Sequence, residues 1–161
     1  MLKRDWFKGK RVTVFGIGLN RGALATIKFL SHAGVREVIA TDIKSKEELA
    51  PTLQELAQYK NITYVLGQHR PEDFTHVDMI VKNPVVPWTN EYIRLALAQG
   101  VPVETDASLF ISLTKRPMIG ITGTKGKTTT ASLIAHLLEQ SGGKIVRAGI
   151  SQVGFLDAID K

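Results

Sequence analysis

The chain has 161 residues, is 43% hydrophobic and 22% charged, and carries a formal net charge of +6. That composition fits a soluble globular protein with room for one domain, or one small domain and part of a second. It has no cysteine, which excludes disulfides, cysteine-type zinc sites and thiol chemistry.

The chain alternates short β-prone runs with helical runs. Residues 11–15 read as a strand. Asn20 is placed to cap a helix whose Ala23, Leu24, Ile27 and Leu30 share one face, and Gly34 ends it. A second strand is expected over 38–41, a helix over 46–59, and strands over 62–66 and 79–82. Residues 90–99 read as a helix stopped by Gly100, 101–103 as a short strand and 108–113 as a helix. Residues 118–122 are expected to form a strand that feeds a glycine turn. A helix should follow over 127–139, with Ala131, Ile134, Leu137 and Leu138 facing inward. Ser141-Gly142-Gly143 ends it and 144–148 starts another strand.

Such alternation predicts an α/β fold with a mostly parallel, Rossmann-like sheet covered by helices. The boundary is expected near 103–106, giving a unit over 1–105 and a second over 106–161. The second, about 55 residues long, reads as the start of a P-loop-type α/β ATPase domain and is short for one, so the chain looks truncated. The first six residues put no apolar run after their charges, so no signal peptide is expected. No stretch approaches about 18 apolar residues, so no membrane insertion is expected and the cytoplasm is the default location.

Two glycine loops carry the chemistry. In the first, Gly16-Ile17-Gly18-Leu19-Asn20-Arg21-Gly22 follows a strand and opens a helix. It is one residue longer than the dinucleotide fingerprint, and Asp42 at the end of the second strand suits a ribose hydroxyl. In the second, Gly123-Thr124-Lys125-Gly126-Lys127-Thr128-Thr129 joins an apolar run to a helix. Strand, turn and helix N-terminus aim backbone N–H groups at one point, where an anion is favoured. Lys127 supplies a cation for outer phosphates and Thr128 a hydroxyl suited to Mg²⁺. The strict P-loop spacing is not met, because Ile121 stands where the first glycine belongs.

The run from Ile121 to Thr129 closely resembles the ATP loop of the Mur ligase family. The resemblance extends to Gly16-Ile17-Gly18, Thr41-Asp42-Ile43-Lys44, Val81-Lys82-Asn83-Pro84, Asn90-Glu91-Tyr92-Ile93 and the stretch from Glu104 to Phe110. These segments are similar to the D-glutamate-adding branch. It implies that Gly123, Thr124, Lys125, Gly126, Lys127, Thr128 and Thr129 bind ATP, with Lys127 and Thr128 catalytic and Thr128 on magnesium. It implies that Gly18, Leu19, Asn20, Asp42, Ile43, Lys44, Asn83 and Gln152 bind UDP-N-acetylmuramoyl-L-alanine. The implied reaction is an ATP-dependent ligation: a carboxylate is activated as an acyl phosphate, then attacked by D-glutamate. The family's remaining catalytic groups would follow residue 161, so no turnover is expected from these residues alone.

Three positions depart from the family. Val85 stands where Gly is common after Asn-Pro, Gly22 lies one place late, and Gln152 replaces an Asn. Two other readings remain: a nicotinamide-dependent oxidoreductase using residues 16–22, and a non-catalytic nucleotide-binding module. The dispersed basic residues suit small anions better than nucleic acid, whose binding faces cluster Lys and Arg. His32, His69, His76 and His136 lack metal-ligand spacing and read as surface or capping residues, and Trp6 and Trp88 as packing residues.

Overall fold

The computed structural model describes residues 2–19, 21–149 and 153–159. Five strands form one sheet: β1 (Arg11–Phe15), β2 (Glu37–Asp42), β3 (Ile62–Leu66), β4 (Met79–Lys82) and β5 (Val103–Thr105). Their order is β3-β2-β1-β4-β5 and every pairing is parallel. Parallel neighbours require crossovers. Helices α1 (Arg21–His32), α2 (Ala50–Leu56), α3 (Glu72–Thr75) and α4 (Glu91–Ala98) supply them.

The inner strands β1, β2 and β4 are almost wholly buried because both sheet faces are covered there, whereas the edge strands β3 and β5 are partly exposed. Alternation sorts their side chains between two cores. Val12, Val14, Met79 and Val81 pack on one side with Leu24, Ile27 and Leu30 of α1. Phe15 and Ile80 pack on the other with Phe74 of α3 and Ile93 and Ala96 of α4.

Element edges follow local chemistry. Helix α2 is shorter than expected: Ser45 and Glu48 bond each other's backbone N–H groups in a preceding turn. Pro51 then sits in the first helical turn, where its missing N–H costs nothing. Asn90 caps α4, its side chain accepting from the Tyr92 N–H at 3.0 Å. Helix α5 (Asp106–Leu113) starts two residues early because Thr105 and Ser108 form a reciprocal capping box.

The second unit departs from expectation. Residues 118–122 and 144–148 are not strands. A β-run becomes a strand only where a neighbour accepts its hydrogen bonds, and among the described residues none pairs with these; Met118 and Ile119 are 48% and 62% exposed. Helix α6 (Lys127–Gln140) forms as expected, but of its residues only Ala135 is fully buried. Leu137 and Leu138, expected to face inward, are 58% and 38% exposed. An open cavity of about 740 Å³ separates α6 from residues 117–121 and 145–149. A 3₁₀ turn, Leu156–Ala158, returns to α1 and buries Leu156 in the first core.

Ion pairs fasten the amino ends of the strands. Arg11 bonds Glu37 at 2.8 Å across β1 and β2, and Lys10 bonds Asp78 at 2.9 Å. Hydrogen bonds from Thr63 and Arg11 hold the Glu37 carboxyl below its ordinary range. Burial pushes the Asp78 carboxyl up, yet the bonds from the Arg11 N–H and the Lys10 ammonium leave it lowered.

Two measurements test this account. Both carboxyls have folded values below their unfolded ones, so the stability they give is present above about pH 4 and lost as pH falls through the folded values. Urea midpoints should therefore drop as pH is lowered below about 4, and drop less in Glu37→Gln. Amide exchange should be slow in β1, β2 and β4 and several orders of magnitude faster in α6, which has little packing. Equal protection would contradict the packing described.

Candidate functional site

β1 lies at the point where strand order reverses, with β2 on one side and β4 on the other. Chains leaving β1 and β4 therefore diverge, and a crevice opens beyond their carboxyl ends. Gly16–Gly18 leaves β1 there, Asp42 ends β2, and Asn83 follows β4.

The first loop is held in shape from both neighbours. Gly16 takes φ +86°, and a Cβ on it would lie 3.0 Å from the Cβ of Asn83. Glycine is required there on both counts. The Gly16 N–H donates to the Thr41 carbonyl at 2.9 Å, and its own carbonyl accepts from the Asn83 carboxamide at 3.1 Å. Asp42 is buried and uses both oxygens: Oδ2 accepts from the Gly18 N–H at 2.8 Å, Oδ1 from the Lys44 N–H at 2.9 Å. Thr52 of α2 donates to the Gly18 carbonyl at 3.2 Å. Gly18, Asp42, Lys44 and Asn83 thus converge, while Leu19 and Ile43 stand 58% and 65% exposed at the rim. Asn20 and Gln152 lie outside the described residues.

The departure at Val85 has a structural reason. No described non-glycine residue has positive φ. Val85 is open to solvent and its N–H donates to the Asn83 Oδ1 at 3.1 Å, a turn that needs no glycine. Gly22 has its own reason: a Cβ there would come within 2.9 Å of the Asp106 carboxylate.

Between α1, β4 and α5 lies a cavity of about 580 Å³ lined by Arg21, Gly22, Lys82, Asn83, Asp106 and Phe155, among others. Lys82 is the residue that sequence reasoning undervalued. It ends an otherwise apolar strand and is only 3% exposed. A lysine closing a Met-Ile-Val run was the available signal. Burial pushes its ammonium below the ordinary lysine value, opposed by the charge of Asp106. Burial likewise pushes the Asp106 carboxyl up, against the bond from the Ala107 N–H and the charge of Lys82.

His69 is half-buried and makes specific contacts. Its Nδ1 lies 2.7 Å from the Thr41 hydroxyl, and its ring sits edge-on to Phe15 and Tyr92. Burial lowers its pKa against the pull of Asp42 and Asp73.

The second loop is built differently. Gly126 takes φ +78° and caps α6 without a side chain. First-turn N–H groups of a helix have no intrahelical partner. Thr124, Lys125, Thr128 and Thr129 are exposed. The Lys127 ammonium folds back to donate to the Gly123 carbonyl. This geometry can accept phosphate on backbone N–H groups, with Lys127 beside it. Among the described residues no three His, Cys, Asp or Glu side chains converge on a metal position. An ion at Thr128 would take its other ligands from phosphate and water, which suits Mg²⁺.

Residues 10–105 match the family described as Mur ligase MurD-like, N-terminal domain, and residues 121–159 match the Mur ligase middle domain. The chain belongs to the MurD-like Mur ligases. It is 41% identical to a protein of Borreliella afzelii (strain PKo), over 99% of this chain and 35% of that one. It is 36% identical to one of Treponema pallidum (strain Nichols), over 97% and 29%. A third, from Roseiflexus sp. (strain RS-1), is 36% identical over 94% and 32%. All three are named UDP-N-acetylmuramoylalanine--D-glutamate ligase. The chain spans about a third of the length of these relatives. No helix among the described residues is long and apolar enough to cross a membrane.

Asp42 tests the first loop. Asp42→Ala leaves the Gly18 and Lys44 N–H groups without their buried acceptor, which should cost about 1–3 kcal/mol of stability. Urea unfolding reads this, and an unchanged midpoint would show that Asp42 does not shape the loop.

Proposed function

We propose that this chain provides the UDP-substrate and ATP-loop portion of an ATP-dependent ligase that adds D-glutamate to UDP-N-acetylmuramoyl-L-alanine. The observation that carries the reading is the presence of two separate phosphate-type loops in one chain. Gly16–Gly18 is preorganised at the sheet's switch point, and Gly123–Thr129 stands at the uncapped start of α6. Family membership and the names of the relatives support the same substrate pair. A nicotinamide-dependent oxidoreductase would leave the second loop idle.

In this reading residues 1–105 form the UDP-substrate unit and 106–161 contribute to the ATP-binding unit. Gly18, Leu19, Asn20, Asp42, Ile43, Lys44, Asn83 and Gln152 surround the UDP-substrate. Residues 123–129 surround the ATP phosphates. A carboxylate is a poor acyl donor until its oxygen is phosphorylated, and the charge that moves in that transfer must be neutralised. Lys127 and the first-turn N–H groups of α6 are placed to do so once the ammonium leaves the Gly123 carbonyl. Magnesium, held by Thr128 and the phosphates, would screen the same charge. No nucleic acid enters the reading.

Titration calorimetry on the chain tests it. UDP or the UDP-sugar peptide should bind and NAD should not; tight NAD binding with no response to UDP would overturn the assignment. Lys127→Ala should weaken ATP–Mg²⁺ binding by about tenfold or more, the worth of one charge-assisted contact. UDP affinity should stay within about twofold, and stability within about 0.5 kcal/mol, since the side chain is exposed at a helix start. Unchanged ATP affinity in the mutant would remove Lys127 from the site.

A further inference from the structure

Lys82 has no part in the reading so far, yet it is among the few charged groups buried in this fold. A buried ammonium is retained only where its donors are used. Its Nζ donates to the Val86 carbonyl at 2.8 Å and the Asn83 carbonyl at 3.4 Å. It also lies 4.8 Å from the centre of the Trp88 ring, inside the range of a cation–π contact. All three partners belong to the single turn that leaves β4. The Asn83 N–H ties the start of that turn to the Phe15 carbonyl at 2.8 Å, and the Val86 N–H closes it on the Asn83 carbonyl at 3.0 Å; beyond these, Pro84, Val85, Pro87 and Trp88 are exposed, and Lys82 is the charged group that holds the Val86 carbonyl and the Trp88 ring.

The geometry points to Lys82 as the positioning residue of the first ligand loop. Its ammonium gathers residues 83–88 into a turn that aims the Asn83 carboxamide at the Gly16 carbonyl. Three links form the chain of action. Lys82 fixes the carbonyls on both sides of the turn. The turn fixes Asn83, whose Oδ1 accepts from Val85 and whose Nδ2 donates to Gly16. Asn83 then fixes Gly16, the one glycine of that loop whose Cβ space is taken by Asn83 itself. Lys82 also balances Asp106, the carboxylate across the shared cavity. Lys82 need not touch the ligand. Its ligand-binding consequence rests on the UDP-substrate reading above.

The absence of cysteine makes a clean test available. In Lys82→Cys the new thiol is the only one, and it can be alkylated in the unfolded chain before refolding. Bromoethylamine rebuilds an ammonium at lysine length; bromopropane builds the same length with a methyl end. Two properties are read: the Asn83 carboxamide signals in ¹⁵N-correlated NMR of the ligand-free protein, and the dissociation constant for UDP.

The ammonium form should restore both to the wild-type values. The propyl form should move the carboxamide signals toward those of a free Asn side chain and raise the UDP dissociation constant about tenfold, as loss of a buried charged contact does. Equal signals and equal affinity in the two forms would overturn the proposal. If neither alkylated form refolds, Lys82→Met prepared without unfolding gives the same reading, and wild-type Asn83 signals there would overturn it. Wild-type protein that fails to bind UDP would sink the UDP-substrate reading, while the ligand-free Asn83 signals would still judge Lys82.

Discussion

The structure depends on the position of β1. It is the first strand of the chain, yet it lies in the middle of the sheet, with β2 and β4 both parallel to it. The connections from β1 and β4 therefore run to opposite faces, and a crevice opens between them at the carboxyl ends. The two cores are a consequence of the same placement. Val12 and Val14 feed one face and Phe15 the other, so β1 is buried on both sides. A crevice ringed by backbone groups is left at the one edge of the sheet that the packing cannot close.

The two ends of the strands are finished in contrasting ways. At the amino ends, Lys10, Arg11, Glu37 and Asp78 pair with one another, half-exposed. At the carboxyl ends, charges are buried and bonded to backbone: Asp42 to two N–H groups, Lys82 to two carbonyls. Exposed ion pairs contribute little and tolerate change. Buried charges are costly unless every bond is made. Two of the buried charges among the described residues, Asp42 and Lys82, thus stand around the crevice and hold loops that carry no regular structure; the third, Asp73, pairs with Arg70 at α3.

Much of this was legible in the sequence. The β-prone and helical runs located β1 to β4 and the helices α1, α2, α4 and α5 to within a few residues, placed β5 two residues early, and missed the one-turn helix α3, which is too short to show a helical period. Gly16 and Asp42 were legible as a glycine turn and a strand-end carboxylate that suit a nucleotide, whereas Asn83 was marked only by the resemblance of Val81-Lys82-Asn83-Pro84 to the family. Lys82 was visible as part of the family-like Val81-Lys82-Asn83-Pro84 segment and as an odd residue ending Met-Ile-Val, but its role was not, since it lies in carbonyls of a turn whose path the sequence does not dictate. Residues 118–122 and 144–148 misled for a physical reason. Their composition is that of strands, but strand formation is a property of pairs, and no described segment pairs with them. The inward face of α6 failed for the same reason, since a helix buries its stripe only against a surface that exists.

The two glycine loops differ in how much of the binding work is done before a ligand arrives. The first is preorganised: Gly16 and Gly18 are fixed by Thr41, Asn83 and Asp42, so little backbone freedom remains to be lost on binding. The second is self-satisfied instead. Lys127 caps the Gly123 carbonyl of its own loop, and around it the chain is exposed. A phosphate entering there must replace that contact, and the exchange is favourable because a phosphate offers the ammonium a full negative charge in place of a carbonyl dipole. The swap also frees the Gly123 carbonyl, which then faces solvent and loses little. On the proposed reading the loop holding the acceptor substrate is rigid in advance, and the loop holding the phosphoryl donor takes shape around its ligand. The reactive partner is then gripped only when it is present, while the larger substrate is recognised by a surface that the sheet itself has set.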